Sequence, residues 1–148
     1  MQFDPDNNIV KLCAKGMSME GEGKKEEAFR LFQLAWDQAS NDLEKFTAAH
    51  YVARHQVSVE DKLKWDEKAL NSALKIDDDR IKGSYPSLYL NIAKCYEDLG
   101  LFNKAKENYE LARSFVDYLT DDGYAKMIKS GIANGIERVE FKVFKLPV

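Results

Sequence analysis

Two stripes of apolar residues at helical spacing are the clearest pattern in the chain. The first stripe consists of Leu88, Ile92, Tyr96 and Leu99. The second consists of Ala105, Tyr109, Ala112 and Phe115. Steps of three and four residues place each stripe on one face of a helix. Gly100 separates the stripes, so the segment predicts two amphipathic helices joined by a tight turn. We expect the positions at which these two helices meet to be buried, namely Leu88, Ile92, Tyr96, Ala105, Tyr109 and Ala112.

The same periodicity over the whole chain predicts seven helices. They cover residues 6–20, 24–39, 42–57, 59–76, 85–99, 102–118 and 121–138. Several boundaries have local signals. The run from Ser58 to Asp61 resembles a capping box, and Pro86 stands where the fifth helix should begin. Asp121 and Asp122 favour the N-terminus of the seventh helix, because the helix dipole stabilises negative charge there.

The last ten residues differ in their pattern from the rest. Val139, Phe141 and Val143 alternate with charged residues, and a period of two is typical of an extended strand. Phe144 and Leu146 add further apolar area. Such a segment is too apolar for a solvated terminus, so we expect residues 139–148 to fold back on the terminal helix or to pair with a second chain.

The paired stripes resemble a tetratricopeptide repeat (TPR), a helix–turn–helix unit that stacks into a solenoid. The matching positions are Tyr89, Ile92, Ala93, Tyr96, Gly100, Ala105, Tyr109 and Ala112. An earlier copy has Gly16, Met19, Gly23, Ala28, Phe32 and Ala35 in the same slots. A more divergent middle copy has Leu70 and Ala73 in second-helix slots, with Asp66 where the repeat has a small residue.

This resemblance implies an all-α fold, a right-handed α-solenoid of about three TPR-like helix pairs in a single domain, residues 1–148. The repeats span about 9–40, 43–80 and 86–117, a capping helix spans about 121–138, and a short extended tail covers 139–148. Gly131 and Gly135 on the capping helix permit a close approach to the preceding helix.

Composition narrows the possible functions. The chain of 148 residues is 45% apolar and carries a net charge of −3, which disfavours nucleic-acid binding. No apolar run approaches the length of a membrane span, and no signal-peptide pattern opens the sequence. Cys13 and Cys95 each lie within a helical pattern, so we expect buried free thiols rather than a disulfide. These features predict a cytoplasmic protein.

Catalytic and metal-binding patterns are weak. His50 and Arg54 lie one turn apart on a helix, but His50 and His55 are about 140° apart and cannot both ligate one ion from a regular helix. The glycine-rich stretch 21–25 lacks the preceding strand and the following Ser or Thr of a phosphate loop. We therefore predict no metal, no cofactor and no catalytic residues, and we expect that the protein is not an enzyme.

In TPR proteins the first helix of each repeat lines a concave groove. The resemblance therefore implies a partner-binding groove whose candidate residues are His50, Arg54, Lys94, Glu97 and Asp98. A plainer interpretation is also open, in which His50 is a helix-packing residue and Arg54 is a surface ion-pair partner. Cys13 and Met17 occupy slots where some TPR proteins have residues that grip a partner's terminal carboxylates, so we expect no such clamp.

The favoured function is a non-catalytic protein–protein interaction scaffold that binds a peptide or partner segment in its concave groove. The alternative is a small helical ligand-binding protein or enzyme that uses His50, Arg54 and His55. We expect a protein or peptide partner, no nucleic acid and no membrane. A homo-oligomer through the terminal helix or the tail is compatible with the scaffold. The partner's identity is not written in the sequence.

Overall fold

The computed structural model describes residues 4–145, with the surroundings of side chains up to residue 143. Its chain divides into two compact units, Met1–Asp77 and Asp78–Val148. All regular secondary structure within residues 4–145 is helical, and the predicted all-α class is confirmed. No helix in this part of the chain is both long enough and apolar enough to cross a membrane. The single domain over residues 1–148 stays a prediction.

The first unit consists of two helix pairs. The first pair is α1 (Asn8–Gly21) with α2 (Lys25–Gln38), and the second is α3 (Asp42–Ala53) with α4 (Val59–Leu74). Helix α3 also packs on both α1 and α2, so it lies where the first helix of a following repeat belongs.

Side-chain caps explain where three of these helices begin. The side chain of Asn7 accepts hydrogen bonds from the backbone N–H groups of Ile9 and Val10, and its amide donates to Glu44 on α3. Asn41 caps α3 in the same way. The Ser58 hydroxyl accepts from the N–H of Asp61, which confirms the cap predicted for α4.

The core of the first unit forms where small residues meet one large ring. Phe32 on α2 is fully buried, and Gly16 on α1 lies so close that a Cβ at this position would overlap its ring. The other buried residues of this cluster are Ile9, Cys13, Ala28, Ala35, Ala48 and Val52. The prediction that Cys13 and Cys95 are buried thiols, not joined in a disulfide, is confirmed.

The second unit consists of three helices with short 3₁₀ helices before and between them. Its helices are α5 (Tyr85–Asp98), α6 (Phe102–Ser114) and α7 (Gly123–Lys145). The 3₁₀ helices are Asp79–Ser84 and Val116–Tyr118. Helix α7 packs on both α6 and α5, as α3 does on α2 and α1.

The second unit repeats the close packing of the first. Gly100 has a φ of 76° and Gly23 a φ of 80°, and glycine adopts this left-handed turn without strain. Tyr109 on α6 is fully buried against Gly135 on α7. The other buried residues of this cluster are Ala93, Ala105, Ala112, Ile128, Ile132, Ile136 and Val139. Gly135 therefore serves packing on the preceding helix, as predicted, whereas Gly131 faces Leu90 of α5.

The prediction of an extended tail was wrong for its described part. Helix α7 continues to Lys145. Val139 and Val143 are four residues apart on one helical face, and Val139 is fully buried, while Phe141 points away and is 62% exposed. Val139 and Val143 fit both patterns, because residues four apart share a face in a helix as well as in a strand. Only Phe141, two residues from each, distinguishes the helix from the strand. The surroundings of Phe144, and residues 146–148 altogether, lie outside the described part.

Smaller differences concern helix ends and one core residue. Helix α3 ends at Ala53 rather than 57, and α6 ends at Ser114, where a 3₁₀ helix follows. Of the six residues expected to be buried, five are, but Tyr96 is only partly buried. The residues after Asp78, which lie between two predicted helices, form a 3₁₀ helix, and the Asp78 side chain caps it by accepting from the N–H of Arg80.

Candidate partner-binding face

Four side chains of α1 and α3 form a face on the first unit. We call Met17, Glu20, Tyr51 and Arg54 the α1–α3 face. The Tyr51 ring stacks on buried Phe32 at 4.9 Å between centroids, and its hydroxyl donates to the sulfur of Met17 at 3.1 Å. The Arg54 guanidinium carbon lies 5.4 Å from the centroid of the Tyr51 ring. The buried Phe32 therefore supports a tyrosine whose hydroxyl contacts a methionine and whose ring lies near a cation.

Glu20 anchors the polar edge of this face. Its Oε1 accepts from Nη2 of Arg54 at 3.1 Å, and its Oε2 lies 2.7 Å from Nε2 of His55. The carboxylate is mostly covered, whereas 46% of the Arg54 side chain is exposed. The outer N–H groups of Arg54 can therefore still meet a ligand. Arginine, methionine and tyrosine on a rigid support are residue types that commonly dominate protein interfaces.

His50 lies in different surroundings from Arg54. Its ring is largely buried with its edge toward Tyr51 at 5.4 Å, and its Nδ1 has no hydrogen-bond partner within the described residues. Burial lowers the pKa of His50 below 6.5, and the nearby carboxylate of Asp66 opposes this shift. Lys62 donates to the buried Asp66 at 2.6 Å. His50 is therefore a neutral, packed histidine, as in the plainer interpretation of the sequence.

The other groove candidates belong to the second unit. Lys94 and Asp98 are exposed and form an ion pair at 2.5 Å along α5. Glu97 is mostly covered, because it accepts hydrogen bonds from Tyr109 and Arg138. Burial raises the pKa of Glu97, but these hydrogen bonds outweigh it and hold the pKa below 4.5. That all five candidates share one concave groove stays a prediction.

An open cavity of about 620 Å³ in the first unit lies between α2 and the connection from α3 to α4. Its lining includes His55 and the aromatic ring of Phe29, but neither His50 nor Arg54. The three residues of the ligand-binding alternative therefore do not converge on this cavity. Within residues 4–143, no group of three or more His, Cys, Asp or Glu side chains could hold a metal ion.

The sequence interpretation missed three members of the α1–α3 face. Met17 and Glu20 are three residues apart, as are Tyr51 and Arg54, so each pair lies on one helical face. Helical spacing alone could have paired them within each helix. The stacking of Tyr51 on Phe32, which joins the two pairs, depends on tertiary packing.

Comparison with known proteins shows the fold and no family. No protein-family model matches the chain, and no curated protein matches it in sequence. Among solved structures, PcrH from Pseudomonas aeruginosa superposes with a TM-score of 0.65 at 16% sequence identity. The match covers 94% of this chain and 96% of PcrH. This likeness to a protein of TPR fold supports the predicted repeat type for the chain.

Proposed function

We propose that the protein is a non-catalytic scaffold that binds a peptide or a segment of a partner protein. The observation that carries this proposal is the α1–α3 face, in which Met17 is 47% exposed beside a locked tyrosine and an accessible arginine. An exposed apolar group on a rigid support is typical of an interaction surface. The TPR-like fold supports a protein partner over a nucleic acid or a membrane, and a cytoplasmic location belongs to the same proposal.

The face suggests how such a segment would bind. An apolar side chain of the partner would pack on the Met17 thioether, which adapts to different shapes, and on the edge of Tyr51. A carboxylate of the partner would meet the outer N–H groups of Arg54, whose inner edge Glu20 already orients. Because the support is already ordered, binding would cost little conformational entropy on the scaffold's side. Lys94 and Asp98 remain candidates for further contacts.

A selection from a phage-displayed peptide library tests the proposal. We expect enriched peptides with an apolar residue near an acidic one, and we expect Met17→Ala and Arg54→Ala to weaken their binding at least about tenfold. Lys64→Ala, at an exposed lysine of α4, is the matched control and should bind like the wild type. The proposal fails if no peptide is enriched, or if all three variants bind equally while remaining folded by circular dichroism.

The ligand-binding alternative is supported by one observation, the position of His55 between Glu20 and the open cavity of about 620 Å³. In this alternative, His55 would contact a small polar ligand in the cavity, and His50 and Arg54 would take no direct part. Ligand-observed NMR with a fragment library, repeated on His55→Ala, tests this. Fragments that bind the wild type and not the variant would favour the alternative over the scaffold.

A further inference from the structure

Five exposed residues form a stripe along one flank of α7. They are Lys126, Lys129, Ala133, Glu137 and Glu140. At 100° per residue they fall within an arc of about 80°, which borders the buried core residues of this helix on one side. The N-terminal half of this stripe is basic and the C-terminal half is acidic, with a small residue between them. We call these five residues the α7 stripe.

The α7 stripe is symmetric about Ala133. Lys129 and Glu137 stand four residues on either side of it, and Lys126 and Glu140 stand seven residues on either side. If two α7 helices cross antiparallel at Ala133, each lysine therefore faces a glutamate of the other copy. A twofold interface must be self-complementary in this way, because the same surface supplies both sides.

We propose that a second copy of this chain docks on the α7 stripe, giving an antiparallel dimer whose twofold axis passes beside Ala133. Two Lys126–Glu140 pairs and two Lys129–Glu137 pairs would form across the interface. Ala133 at the crossing point permits the helix axes to approach to about 8 Å, the short end of the usual range. The proposal is independent of peptide binding at the α1–α3 face.

A neighbouring cavity supports this choice of occupant. A cavity of about 340 Å³ between α6 and α7 is lined by Arg113, Val116, Lys129, Ile132, Ala133 and Ile136. The lining contains two cations and no carboxylate. Arg113 and Lys129 form no ion pair within residues 4–143. In the antiparallel arrangement, Glu137 of the second copy lies opposite Lys129 and supplies the missing negative charge beside an apolar wall.

The acidic half of the stripe also needs a partner. Glu137 forms no ion pair among the described residues, and Glu140 lies 3.9 Å from Lys106, at the limit of an ion pair. A purely acidic partner helix would suit the cavity but would meet Glu137 and Glu140 with like charge, which disfavours it. A second copy places opposite charges against both the basic and the acidic half of the α7 stripe.

Charge reversal followed by sedimentation equilibrium tests the proposal. The wild type should form a dimer that weakens as sodium chloride rises, because exposed ion pairs are screened. The acidic variant, Lys126→Glu with Lys129→Glu, and the basic variant, Glu137→Lys with Glu140→Lys, should each dimerise at least about tenfold more weakly. Lys11→Glu with Lys15→Glu makes the same charge change on α1 and should dimerise like the wild type.

Mixing the variants makes the test specific. In a 1:1 mixture of the acidic and basic variants, every pair across the interface is again opposite in charge, so a heterodimer should form. The quadruple variant, which carries all four reversals, should recover the homodimer. A wild type that stays monomeric, or a mixture that stays monomeric, overturns the proposal. If the protein stays monomeric and instead binds an acidic helical peptide at the α7 stripe, the partner there is an acidic helix and not a second copy.

A cysteine placed on the twofold axis gives a second measurement. Ala133→Cys should form a disulfide-linked dimer under mild oxidation, because only residues on the axis meet their own copies within disulfide distance. Asn134→Cys, also exposed but about 100° round the helix, is the control and should link much less. The native Cys13 and Cys95 are buried and do not compete. Equal yields of disulfide-linked dimer from the two variants would contradict a twofold axis beside Ala133.

Discussion

Arg138 on α7 holds the carboxylate of Glu97 on α5 by two hydrogen bonds. Its Nε lies 2.8 Å from Oε2 and its Nη2 lies 3.0 Å from Oε1. The hydroxyl of Tyr109, from α6, donates to the same Oε1 at 2.6 Å. One carboxylate therefore joins all three helices of the second unit, and charge-assisted bonds of this bidentate kind fix geometry as well as energy.

Removing this carboxylate should destabilise the second unit. Glu97→Ala leaves the hydroxyl of buried Tyr109 and the Arg138 guanidinium without their acceptor, and we expect a loss of about 1–3 kcal/mol in the free energy of unfolding. Urea denaturation followed by circular dichroism measures it. Glu107→Ala, at an exposed position of α6, is the control and should change stability by about 0.5 kcal/mol or less. Equal midpoints for the two variants would contradict the joining role of Glu97.

The pH dependence of this contact follows from the lowered pKa of Glu97. A carboxyl group whose pKa is lower in the folded state stabilises the fold above its unfolded value near 4.5. That contribution disappears as the pH falls through the folded pKa. Wild type and Glu97→Gln should therefore differ most in stability above about pH 5 and should converge in acid.

Glycine at position 16 is required by packing, whereas glycine at position 21 is not. A Cβ at Gly16 would overlap the Phe32 ring, but one at Gly21 would meet nothing within 4 Å. We expect Gly16→Ala to cost about 1–3 kcal/mol through overpacking. Gly21→Ala, near the end of the same helix, should be neutral or stabilising by up to about 1 kcal/mol, because alanine is the better helix former. Thermal unfolding of both variants tests this, and a stabilised Gly16→Ala would show that α1 and α2 are not so close.

Buried His50 should make the first unit sensitive to mild acid. Burial lowers the pKa of His50 in the fold, so the neutral form is favoured. Its contribution is complete above the unfolded pKa of 6.5, and stability is lost as the pH falls from there toward the folded pKa. His50→Gln should therefore flatten the fall in unfolding free energy between about pH 7 and pH 5. An unchanged slope in His50→Gln would contradict the burial of this histidine.

The end of α7 provides a test of helix against strand. In the helix, Val139 is buried while Phe141 is exposed, so Val139→Ala should cost about 1–2 kcal/mol and Phe141→Ala much less. In a strand with a period of two, both residues would share one face and both truncations would matter. Denaturation midpoints of the two variants distinguish these structures directly. A larger loss for Phe141→Ala would favour the extended tail.

The fold could be predicted from the sequence where composition and spacing act locally. Gly23 and Gly100 both make left-handed turns, and the stripes around Ala105 and Tyr109 are buried as expected. Local patterns failed where one spacing fits both a helix and a strand, as it does for Val139 and Val143. They also could not tell which neighbour a helix face meets. Glu97 looked like a groove residue, because nothing in its own segment points to Arg138, 41 residues away.

The candidate site was predicted less completely than the fold. Arg54 was selected from its place on the first helix of a repeat, and its side chain is accessible. His50 was selected by the same argument, but it is largely buried, within the electrostatic influence of the Asp66 carboxylate. Met17 and Tyr51 escaped notice because apolar residues at helical spacing are assigned to the core by default. Only packing shows that Met17 is exposed.

Methyl NMR of methionine tests the central claim most directly, namely that the α1–α3 face binds a partner segment. The chain has four methionines, and the exposed Met17 and Met127 lie in different units. With a peptide from the phage selection added to saturation, the Met17 methyl signal should shift and broaden, while that of Met127 stays in place. A saturable peptide that leaves the Met17 signal unchanged would contradict the account.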